Sequence, residues 1–486
     1  MDCRQINVVF FLSFYYSFNI FVLGISEITD VGKVMETVDQ SPAYVSVADF
    51  YAGKSVFITG VTGFLGKVFL EKLLYSCKDI DKVFVLIRDK KGISAKQRVG
   101  EFIDKPLFSR LKEERPDDFK KVIPIAGDLN HLDLGISTED VEILLQKVSV
   151  VFHVAATIKF NEELKDAVNT NVRGTKYVLH LCQRMKNIKA FVHVSTAYCN
   201  TDKPILEEKV YPPPADLGEV HKFLESNHDR TQVKALLKGL PNTYTFTKAL
   251  AETYVAENHG NIPTVIIRPA IVSASLREPI AGWVDNWSGA TGILAAVMKG
   301  ATRVILGDGE NSLDLVPVDY VANLTIVAAA RCSSSDNIAV YNCCTSSCNP
   351  ITIRNMFKYL KRAASKNGFD DSQMSLTFTN KKWTLSTLTF LLQTTPAYFA
   401  DLYLRATGQQ PKYMQIQSRV VAGRDILEFF TSNSWEMKAD RTRALHATLS
   451  PKDRHQFPCD PSDINWSEYI ALYIEGINRF LLTKRV

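Results

Sequence analysis

Residues 55–74, SVFITGVTGFLGKVFLEKLL, decide the fold of this chain. An apolar run at 56–58 leads into Gly60, Gly63 and Gly66, and an amphipathic helical pattern follows from Lys67. Glycines allow a tight turn and a close approach by a pyrophosphate, while the helix N-terminus supplies free N–H groups and the positive end of its dipole. A glycine triplet alone also occurs in ordinary turns of α/β proteins. Its place between strand and helix, with the motifs downstream, favours a dinucleotide site.

Composition narrows the class of protein. A chain of 486 residues suggests two or three domains, and 46 % hydrophobic and 22 % charged residues are typical of a globular protein. A net charge of +5 is too weak to indicate a nucleic-acid partner. The nine cysteines are irregularly spaced and include no C-x-x-C pair, so they indicate neither a disulfide framework nor a metal site. Free cysteines of this kind suggest a reducing compartment. We expect Cys343, Cys344 and Cys348 to be small buried apolar residues.

The first 47 residues are predicted to form an extension ahead of the folded domains. Residues 8–24 are apolar and long enough to span a bilayer, as a membrane anchor, a signal peptide or an extension that packs on the protein. The flanking charges, Arg4 before and Glu27 after, would place the following chain in the lumen, which conflicts with a cytosolic cofactor pool.

Strands alternate with helices through the next three hundred residues. This rhythm predicts an α/β fold with a Rossmann-type, doubly wound parallel sheet in a domain spanning 48–349. The predicted elements are strands within 55–59, 82–88, 122–129, 148–157, 190–200 and 340–345, and helices over 163–186 and 316–330. Residues 202–230 read as a polar insertion and 277–317 as an irregular substrate-side region.

Two strand ends predict how the cofactor is held. Arg88 ends the second strand, with Lys90 and Lys91 beyond it, where an NAD site usually has an acid. This basic cluster favours the 2′-phosphate of NADPH, although it could also be a solvated turn. Asp128 ends the next strand, where an adenine ring could be contacted. Small residues such as Ala155 would let the cofactor lie against the backbone, next to a packed His153.

From residue 350 the chain becomes mainly helical, which predicts a C-terminal domain over 350–486. Within it, residues 385–404 are mostly apolar, with one charge at Asp401 and an interruption at Pro396. This stretch could dip into a membrane, line a lipid tunnel or form a buried pair of helices.

Tyr244 and Lys248 stand four residues apart in NTYTFTKALAE, which places both on one face of a helix. A lysine ammonium beside a phenol would lower its pKa and make it a usable proton donor. Ser195 and Thr196 follow a strand, where a hydroxyl could bind a reacting carbonyl oxygen. An exposed helical pair would explain Y-x-x-x-K alone, but the three parts together predict hydride transfer to a carbonyl.

These motifs resemble the extended short-chain dehydrogenase/reductases, and more narrowly the alcohol-forming fatty acyl-CoA reductases of the insect type. C-terminal pieces resemble that family's domain named after a male-sterility protein, and the resemblance covers roughly residues 40–484. The motifs that carry it are TGVTGFLGK, NTNVRGT, HVSTAYCN, NTYTFTKALAE, IIRPAIV, EPIAGWVDN, YNCCTSSCNPIT, FPCDPSDINWSEYI and GINRFLL.

The resemblance implies roles for individual residues. Tyr244 would be the proton donor with Lys248 as its partner, and Thr196 or the adjacent Ser195 the third catalytic member. The implied NADPH-binding residues, besides Tyr244 and Lys248, are Gly60, Thr62, Gly63, Phe64, Leu65, Gly66, Arg88, Asp128, Leu129, Ala155, Arg268 and Pro269. Ala270 replaces the family's usual serine, and GATGI at 289–293 its usual GPTG, which bears on substrate fit.

The resemblance implies an enzyme that reduces a long or very-long-chain acyl-CoA to a primary alcohol by two successive hydride transfers from NADPH, releasing CoA. It also implies a membrane-lipid environment, at the endoplasmic reticulum or peroxisome, with the catalytic domain facing the cytosol. Two alternatives stay open: another extended reductase, acting on a sterol or nucleotide sugar, and an inactive relative that binds lipid or cofactor. The sequence does not indicate an oligomeric state.

Overall fold

Seven parallel strands form the central sheet of this computed structural model, which describes residues 44–333, 337–370, 372 and 374–483. Their order is β11-β7-β5-β4-β1-β2-β3. The chain therefore leaves β1 toward one edge and returns to β4 on the other side, which makes a crevice at the carboxyl ends of β1 and β4. In chain order the strands are β1 Ser55–Thr59, β2 Val83–Ile87, β3 Val122–Ala126, β4 Val148–His153, β5 Ala190–Val194, β6 Ile205–Leu206, β7 Thr264–Pro269, β8 Ile271–Ser273, β9 Val304–Leu306, β10 Leu315–Pro317, β11 Ala339–Cys343, β12 Thr377–Thr379 and β13 Glu436–Met437.

Helices cover both faces of this sheet and form most of the C-terminal region. In chain order they are α1 Val47–Tyr51, α2 Phe64–Ser76, α3 Ala95–Ile103, α4 Ser109–Glu114, α5 Thr138–Lys147, α6 Leu164–Val168, α7 Gly174–Gln183, α8 Leu217–Glu225, α9 Arg230–Leu236, α10 Thr243–Asn258, α11 Ala290–Met298, α12 Val318–Ala330, α13 Ile353–Lys366, α14 Lys382–Thr389, α15 Thr395–Ala406, α16 Tyr413–Ile426, α17 Glu428–Ser432, α18 Asp440–Ala447, α19 Pro451–Gln456 and α20 Trp466–Gly476. Short π-helical turns occupy Asn169–Arg173, Phe390–Thr394 and Ile477–Leu482.

The predicted α/β fold is confirmed. Every residue of β1, β2, β5 and β7 is buried, as the continuous apolar runs predict for a sheet covered on both faces. The helix predicted over 163–186 is α6 and α7, joined by the π-helical turn. Asn242 caps α10 by accepting a hydrogen bond from the Thr245 N–H, which fixes the start of the helix that carries Tyr244.

Two predicted irregular regions contain regular structure. The prediction for 277–317 is wrong in part, because α11 and β9 lie within it; the apolar run ILAAVM forms the buried side of α11. The polar insertion at 202–230 contains β6 and α8, whose N-cap is Asp216.

The C-terminal region joins the sheet domain through strand pairs. β12 pairs with β9, and β13 pairs with β6, both in parallel. Ser46–Val486 forms one compact unit, so the domain boundary predicted at 350 falls inside it and stays a prediction. The apolar segment at 8–24 lies outside the described residues. Across the ranges that are described, none of the helices combines the length and hydropathy needed to cross a bilayer.

Residues 382–406 form one continuous helix made of α14, a π-helical turn and α15. The turn at Phe390–Thr394 comes just before Pro396, which lacks an N–H and crowds the carbonyl four residues earlier. The helix therefore passes through the proline. The alternative of a buried helix pair at 385–404 is wrong, because most of the large apolar side chains on this helix are exposed.

Candidate active site

A cavity of about 2100 Å³ opens at the carboxyl ends of the central strands. It runs from the glycine loop after β1 to helix α16 of the C-terminal region. The structure brings almost all of the sequence-predicted site residues to its wall. These are Gly60, Thr62, Gly63, Phe64, Leu65, Gly66, Arg88, Asp128, Leu129, Ala155, Ser195, Thr196, Tyr244, Lys248 and Pro269.

The glycine loop requires its glycines for steric reasons. Gly60 has φ +79°, and a Cβ there would lie 2.6 Å from the Ala155 backbone nitrogen. A Cβ on Gly66 would lie 2.2 Å from the Gly60 carbonyl oxygen. Gly63, the N-cap of α2, makes no side-chain hydrogen bond, so the N–H groups of the first turn stay available toward the cavity. This cradle fits the pyrophosphate of a dinucleotide.

Basic side chains lie where the adenosine half of the cofactor would extend. Arg88 is 56 % exposed on its side chain and approaches Asp128, with 3.8 Å between Nη1 and Oδ2. Arg98 also lines the cavity and donates from Nη1 to the Arg88 carbonyl oxygen at 2.5 Å. Leu129 is buried beside Gly174. The guanidinium of Arg88 is therefore held at the rim with solvent access, as a 2′-phosphate ligand requires.

Tyr244 lies beside Thr196 at the centre of the cavity. Burial raises the pKa of the Tyr244 phenol, and the Thr196 hydroxyl offsets that rise only in part. The sequence predicts that Lys248 lowers the pKa of the Tyr244 phenol. The structure does not show this effect, because the lysine ammonium points away from the phenol. Within the described chain, the Ser195 hydroxyl is buried without a hydrogen-bond partner, next to the cavity wall. Two hydroxyls and a phenol thus remain available to a carbonyl oxygen.

Lys248 is buried under the cavity floor. Its ammonium donates to the Val194 carbonyl oxygen at 2.7 Å and approaches Nε2 of His193 at 3.2 Å. Burial lowers the pKa of Lys248 to about 8, although the Glu252 carboxylate opposes that shift. Burial, followed by the charge of Lys248, lowers the pKa of His193 far below its usual range, so the imidazole is neutral and can accept.

His153 is a structural residue, as the sequence analysis expects. Its Nδ1 lies 2.8 Å from the Thr59 hydroxyl and its Nε2 lies 2.9 Å from the Thr175 hydroxyl. Burial, with a smaller contribution from Lys248, lowers its pKa to about 3, so it stays neutral. It ties β4 to β1 and α7 behind the site.

Arg268 does not reach the cavity, although its neighbour Pro269 does. Arg268 is 1 % exposed and forms a paired ion contact with Glu252, with Nε to Oε1 at 2.9 Å and Nη2 to Oε2 at 2.6 Å. Alternate side chains of a strand point to opposite faces, which turns Arg268 away from Pro269. Cys199 donates to the same carboxylate at 3.3 Å, and burial raises the pKa of its thiol.

The distal part of the cavity was missed by sequence reasoning. It is lined mainly by apolar and small residues of α11, α13 and α16, including Ile293, Met356 and Val420, and Arg419 and Arg424 of α16 also reach its wall. Helical periodicity shows that such helices have an apolar side, but the same pattern would describe an ordinary core. The neighbouring His193 was also missed, since a histidine within an apolar strand carries no signal of its partner.

The prediction that the three clustered cysteines are buried is confirmed for two of them. Cys343 and Cys344 are buried, and Cys348 is partly buried. Among residues 44–483 as far as they are described, no group of His, Cys, Asp and Glu side chains is arranged to hold a metal ion.

Comparisons with known proteins agree with this geometry. Residues 58–325 and 392–484 each match a family described as male sterility protein. The chain is 38 % identical to fatty acyl-CoA reductase 1 of Homo sapiens over 449 residues, covering 91 % of this chain and 87 % of that one. It is 36 % identical to fatty acyl-CoA reductase 2 of Bos taurus, covering 90 % and 86 %.

Solved structures share the fold at lower identity. The terminal R domain from the myxalamid PKS-NRPS biosynthetic pathway aligns with a TM-score of 0.62 and 19 % identity, covering 89 % of this chain and 92 % of that one. The reductase domain of a nonribosomal peptide synthetase from Mycobacterium tuberculosis aligns with a TM-score of 0.57 and 18 % identity, covering 89 % and 95 %.

Proposed function

The chain belongs to the fatty acyl-CoA reductase family and reduces a fatty acyl-CoA to the fatty alcohol with a nicotinamide cofactor, and we propose that both reductions occur in the cavity described above. One observation carries this proposal. A single cavity joins the dinucleotide cradle, the Tyr244 phenol and an apolar arm formed by α11, α13 and α16. A cofactor, a carbonyl and an acyl chain can therefore meet at one place.

The cofactor is proposed to be NADPH. When bound, it supplies the hydride that each reduction adds to the carbonyl carbon. Gly60, Gly63 and Gly66 would hold its pyrophosphate, and Arg88 would bind its 2′-phosphate. In support, Arg88 has a half-exposed side chain and lies beside Arg98 at the cavity rim. A guanidinium pairs bidentately with phosphate oxygens, which a ribose hydroxyl cannot match.

Thr196 and Tyr244 are proposed to act on the carbonyl oxygen. Negative charge develops on this oxygen during each reduction, and hydroxyl donors fixed in a desolvated site stabilise it strongly. Tyr244 then gives the oxygen its proton, because a phenol is intrinsically more acidic than the aliphatic hydroxyls of Thr196 and Ser195. Ser195 stands next to Thr196 with an uncommitted hydroxyl and is a second candidate donor.

The first reduction converts the thioester into a thiohemiacetal. This adduct breaks its carbon–sulfur bond, the oxygen returns its proton to Tyr244, and CoA leaves as the thiolate, which takes a proton from solvent. The remaining aldehyde is a better electrophile than the thioester and needs the same oxygen contacts and the same proton donor. The second reduction therefore needs no further residues. Cys199 has no role as a nucleophile, since its thiol stays protonated beside Glu252.

A long or very-long acyl chain is proposed as the substrate's tail. The distal arm contributes apolar walls from α11, α13 and α16, which exclude water from a hydrocarbon chain. Membrane association at the endoplasmic reticulum or peroxisome, with the reductase facing the cytosol, is proposed because such substrates partition into bilayers. Fractionation of cells combined with protease accessibility tests this placement, and a protease-protected reductase domain would contradict it.

The function is tested by incubating the purified protein with a long-chain acyl-CoA and NADPH, and identifying the lipid products by mass. We expect the primary alcohol of the same chain length. A sterol or nucleotide-sugar product from matched incubations, or the absence of any reduced lipid, would overturn the assignment. Short-chain acyl-CoA is the matched control substrate, because it reaches Tyr244 without filling the distal arm.

A further inference from the structure

The continuous helix over residues 382–406 has its polar side turned inward. Its buried positions include Thr389, Gln393 and Asp401, each with a hydrogen-bond partner from the protein. Arg424 donates to Thr389 at 2.8 Å, and the Gln393 side chain accepts from the Arg303 N–H at 3.0 Å. A surface helix of a globular protein normally buries apolar residues and exposes polar ones. This helix instead buries these polar groups together with Leu385 and Leu404, and exposes most of its large apolar side chains.

Large apolar side chains occupy the opposite side of this helix, which we call the outer face. They are between 49 % and 68 % exposed, although they are of the residue types that cores usually bury. The spacing of three and four residues places them on one side once the π-helical turn is included. The outer face consists of Trp383, Phe390, Leu391, Phe399, Leu402 and Tyr403.

The outer face carries no charge. The single acidic or basic residue between Trp383 and Leu404 is Asp401, and its carboxylate is turned to the inside. It accepts hydrogen bonds from the N–H groups of Lys412, Tyr413 and Met414 at 2.8, 2.8 and 2.9 Å, and so caps α16. The one charge in this stretch is therefore absent from its surface.

Positive charge surrounds the outer face. Between Lys381 and Ile426 the chain has six lysines and arginines against two aspartates. Asp401 serves as the cap, and buried Arg424 is paired with Asp425 at 2.7 Å. Lys382 is paired with Glu428 at 3.0 Å, which leaves four basic side chains against no unpaired acid. Exposed basic side chains at both ends of the helix, such as Lys381 and Arg405, would reach anionic headgroups while the aromatic rings enter the hydrocarbon boundary.

The outer face is also next to the acyl arm of the cavity. Helix α15 packs against α16, and α16 lines the cavity with Ile416, Val420 and Gly423. A chain leaving a bilayer beneath the outer face would therefore have only α16 between it and the arm.

From these observations we propose that the outer face seats the enzyme on an anionic lipid bilayer as a monotopic surface, so that acyl chains pass from the membrane into the arm between α11 and α16. The proposal rests on the proposed function for the identity of the acyl substrate. The docking surface itself stands on charge and exposure. A helix with a wide apolar face and basic flanks lies in the plane of the interface and does not cross it.

The first test places a reporter in the surface. Trp383 is 68 % exposed, whereas Trp283 and Trp466 are buried. The full chain is mixed with phosphatidylcholine vesicles containing about 30 % phosphatidylserine, with acyl chains brominated in one sample. We expect bromination to quench fluorescence in the parent and much less in Trp383→Phe, with Trp287→Phe as the matched control. Equal quenching in the parent and Trp383→Phe would overturn the proposal.

The second test changes the surface. Leu391→Glu/Phe399→Glu should bind the same vesicles about tenfold more weakly or worse, because charge is introduced into an apolar interface. The control Ile143→Glu/Ile205→Glu alters exposed apolar residues elsewhere and should bind as the parent does. Reduction of a soluble short-chain acyl-CoA should continue in both double variants, which shows that they are folded.

Two outcomes of this second test contradict the proposal. Unchanged vesicle binding in Leu391→Glu/Phe399→Glu would show that this face does not meet lipid. A parent dimer that becomes monomeric in the same variant would show that a second copy covers the face. Neither readout depends on reduction of a long-chain substrate, so failure of the docking surface is distinguishable from failure of the proposed function.

Discussion

Nε2 of His193 lies 3.2 Å from Nζ of Lys248, and both side chains are buried beneath the cavity. A neutral imidazole accepts from the lysine ammonium there, which favours the charged lysine in a place where burial disfavours it. His193 is therefore a positioning residue: it acts on the reaction only through the charge and orientation of Lys248.

This contact predicts the pH dependence of the enzyme. The pKa of Lys248 is lowered to about 8, so the ammonium is present below that pH and is lost above it. We expect kcat/KM, which reports groups in the free enzyme, to fall as pH rises through that value. In His193→Leu the ammonium loses an acceptor, its pKa decreases further, and the basic limb moves to lower pH. The control His221→Leu should keep the parent profile, and an unmoved limb in His193→Leu would contradict the assignment.

Removing the phenol of Tyr244 should abolish proton donation to the carbonyl oxygen. Tyr244→Phe is expected to lose about 10²-fold or more of the rate, as is typical when a general acid is lost. Both the acyl-CoA and the free aldehyde should be affected, since one residue serves both reductions. Tyr254→Phe, on the same helix but outside the cavity, is the matched control. Full aldehyde reduction by Tyr244→Phe would require a second proton donor.

Cofactor preference is predicted by Arg88. Arg88→Ala should raise the KM for NADPH about tenfold or more, the range expected for a lost charge-assisted hydrogen bond, and should leave NADH kinetics nearly unchanged. Lys96→Ala, which removes an exposed basic side chain from α3, is the control. Steady-state kinetics with both cofactors measure the effect. Equal use of NADPH and NADH by the parent would show that the rim does not bind the 2′-phosphate.

The distal arm should control acyl chain length at Gly423. A Cβ built on this helical glycine meets no atom within 4 Å, so Gly423→Leu adds a side chain to open space on the cavity wall. We expect kcat/KM to fall most for the longest acyl-CoA substrates and little for short ones. Ala422→Leu, the neighbouring exposed position outside the cavity lining, should leave the profile unchanged. The stability of Gly423→Leu should not decrease, since glycine costs about 0.5–1 kcal/mol in a helix.

The sequence predicted the part of the site whose residues are tied to backbone geometry. Gly60 and Gly66 are glycines for steric reasons, and the helical spacing of Tyr244 and Lys248 is independent of the rest of the chain. Arg268 shows the limit of such reasoning. Its neighbours Pro269 and Ala270 line the cavity, but the alternation of side chains along β7 turns the guanidinium toward Glu252.

Partners distant in sequence could not be predicted. Arg268 meets Glu252 because strand β7 lies close to helix α10. His193 of strand β5 meets Lys248 of the same helix. The orientation of the 382–406 helix was equally hidden. Its apolar residues indicated a helix with an apolar side. Whether that side faces the core or the surface depends on a contact that the sequence does not reveal, between Asp401 and the first N–H groups of α16.

The central claim is that one site carries out both reductions. The stoichiometry of the reaction tests it most directly. The purified chain is given a long-chain acyl-CoA with excess NADPH, and the NADPH oxidised, the free CoA released and the lipid formed are measured in one reaction. We expect two NADPH oxidised for each CoA, with the alcohol as the main lipid and little free aldehyde. One NADPH for each CoA, with accumulating aldehyde, would contradict the account.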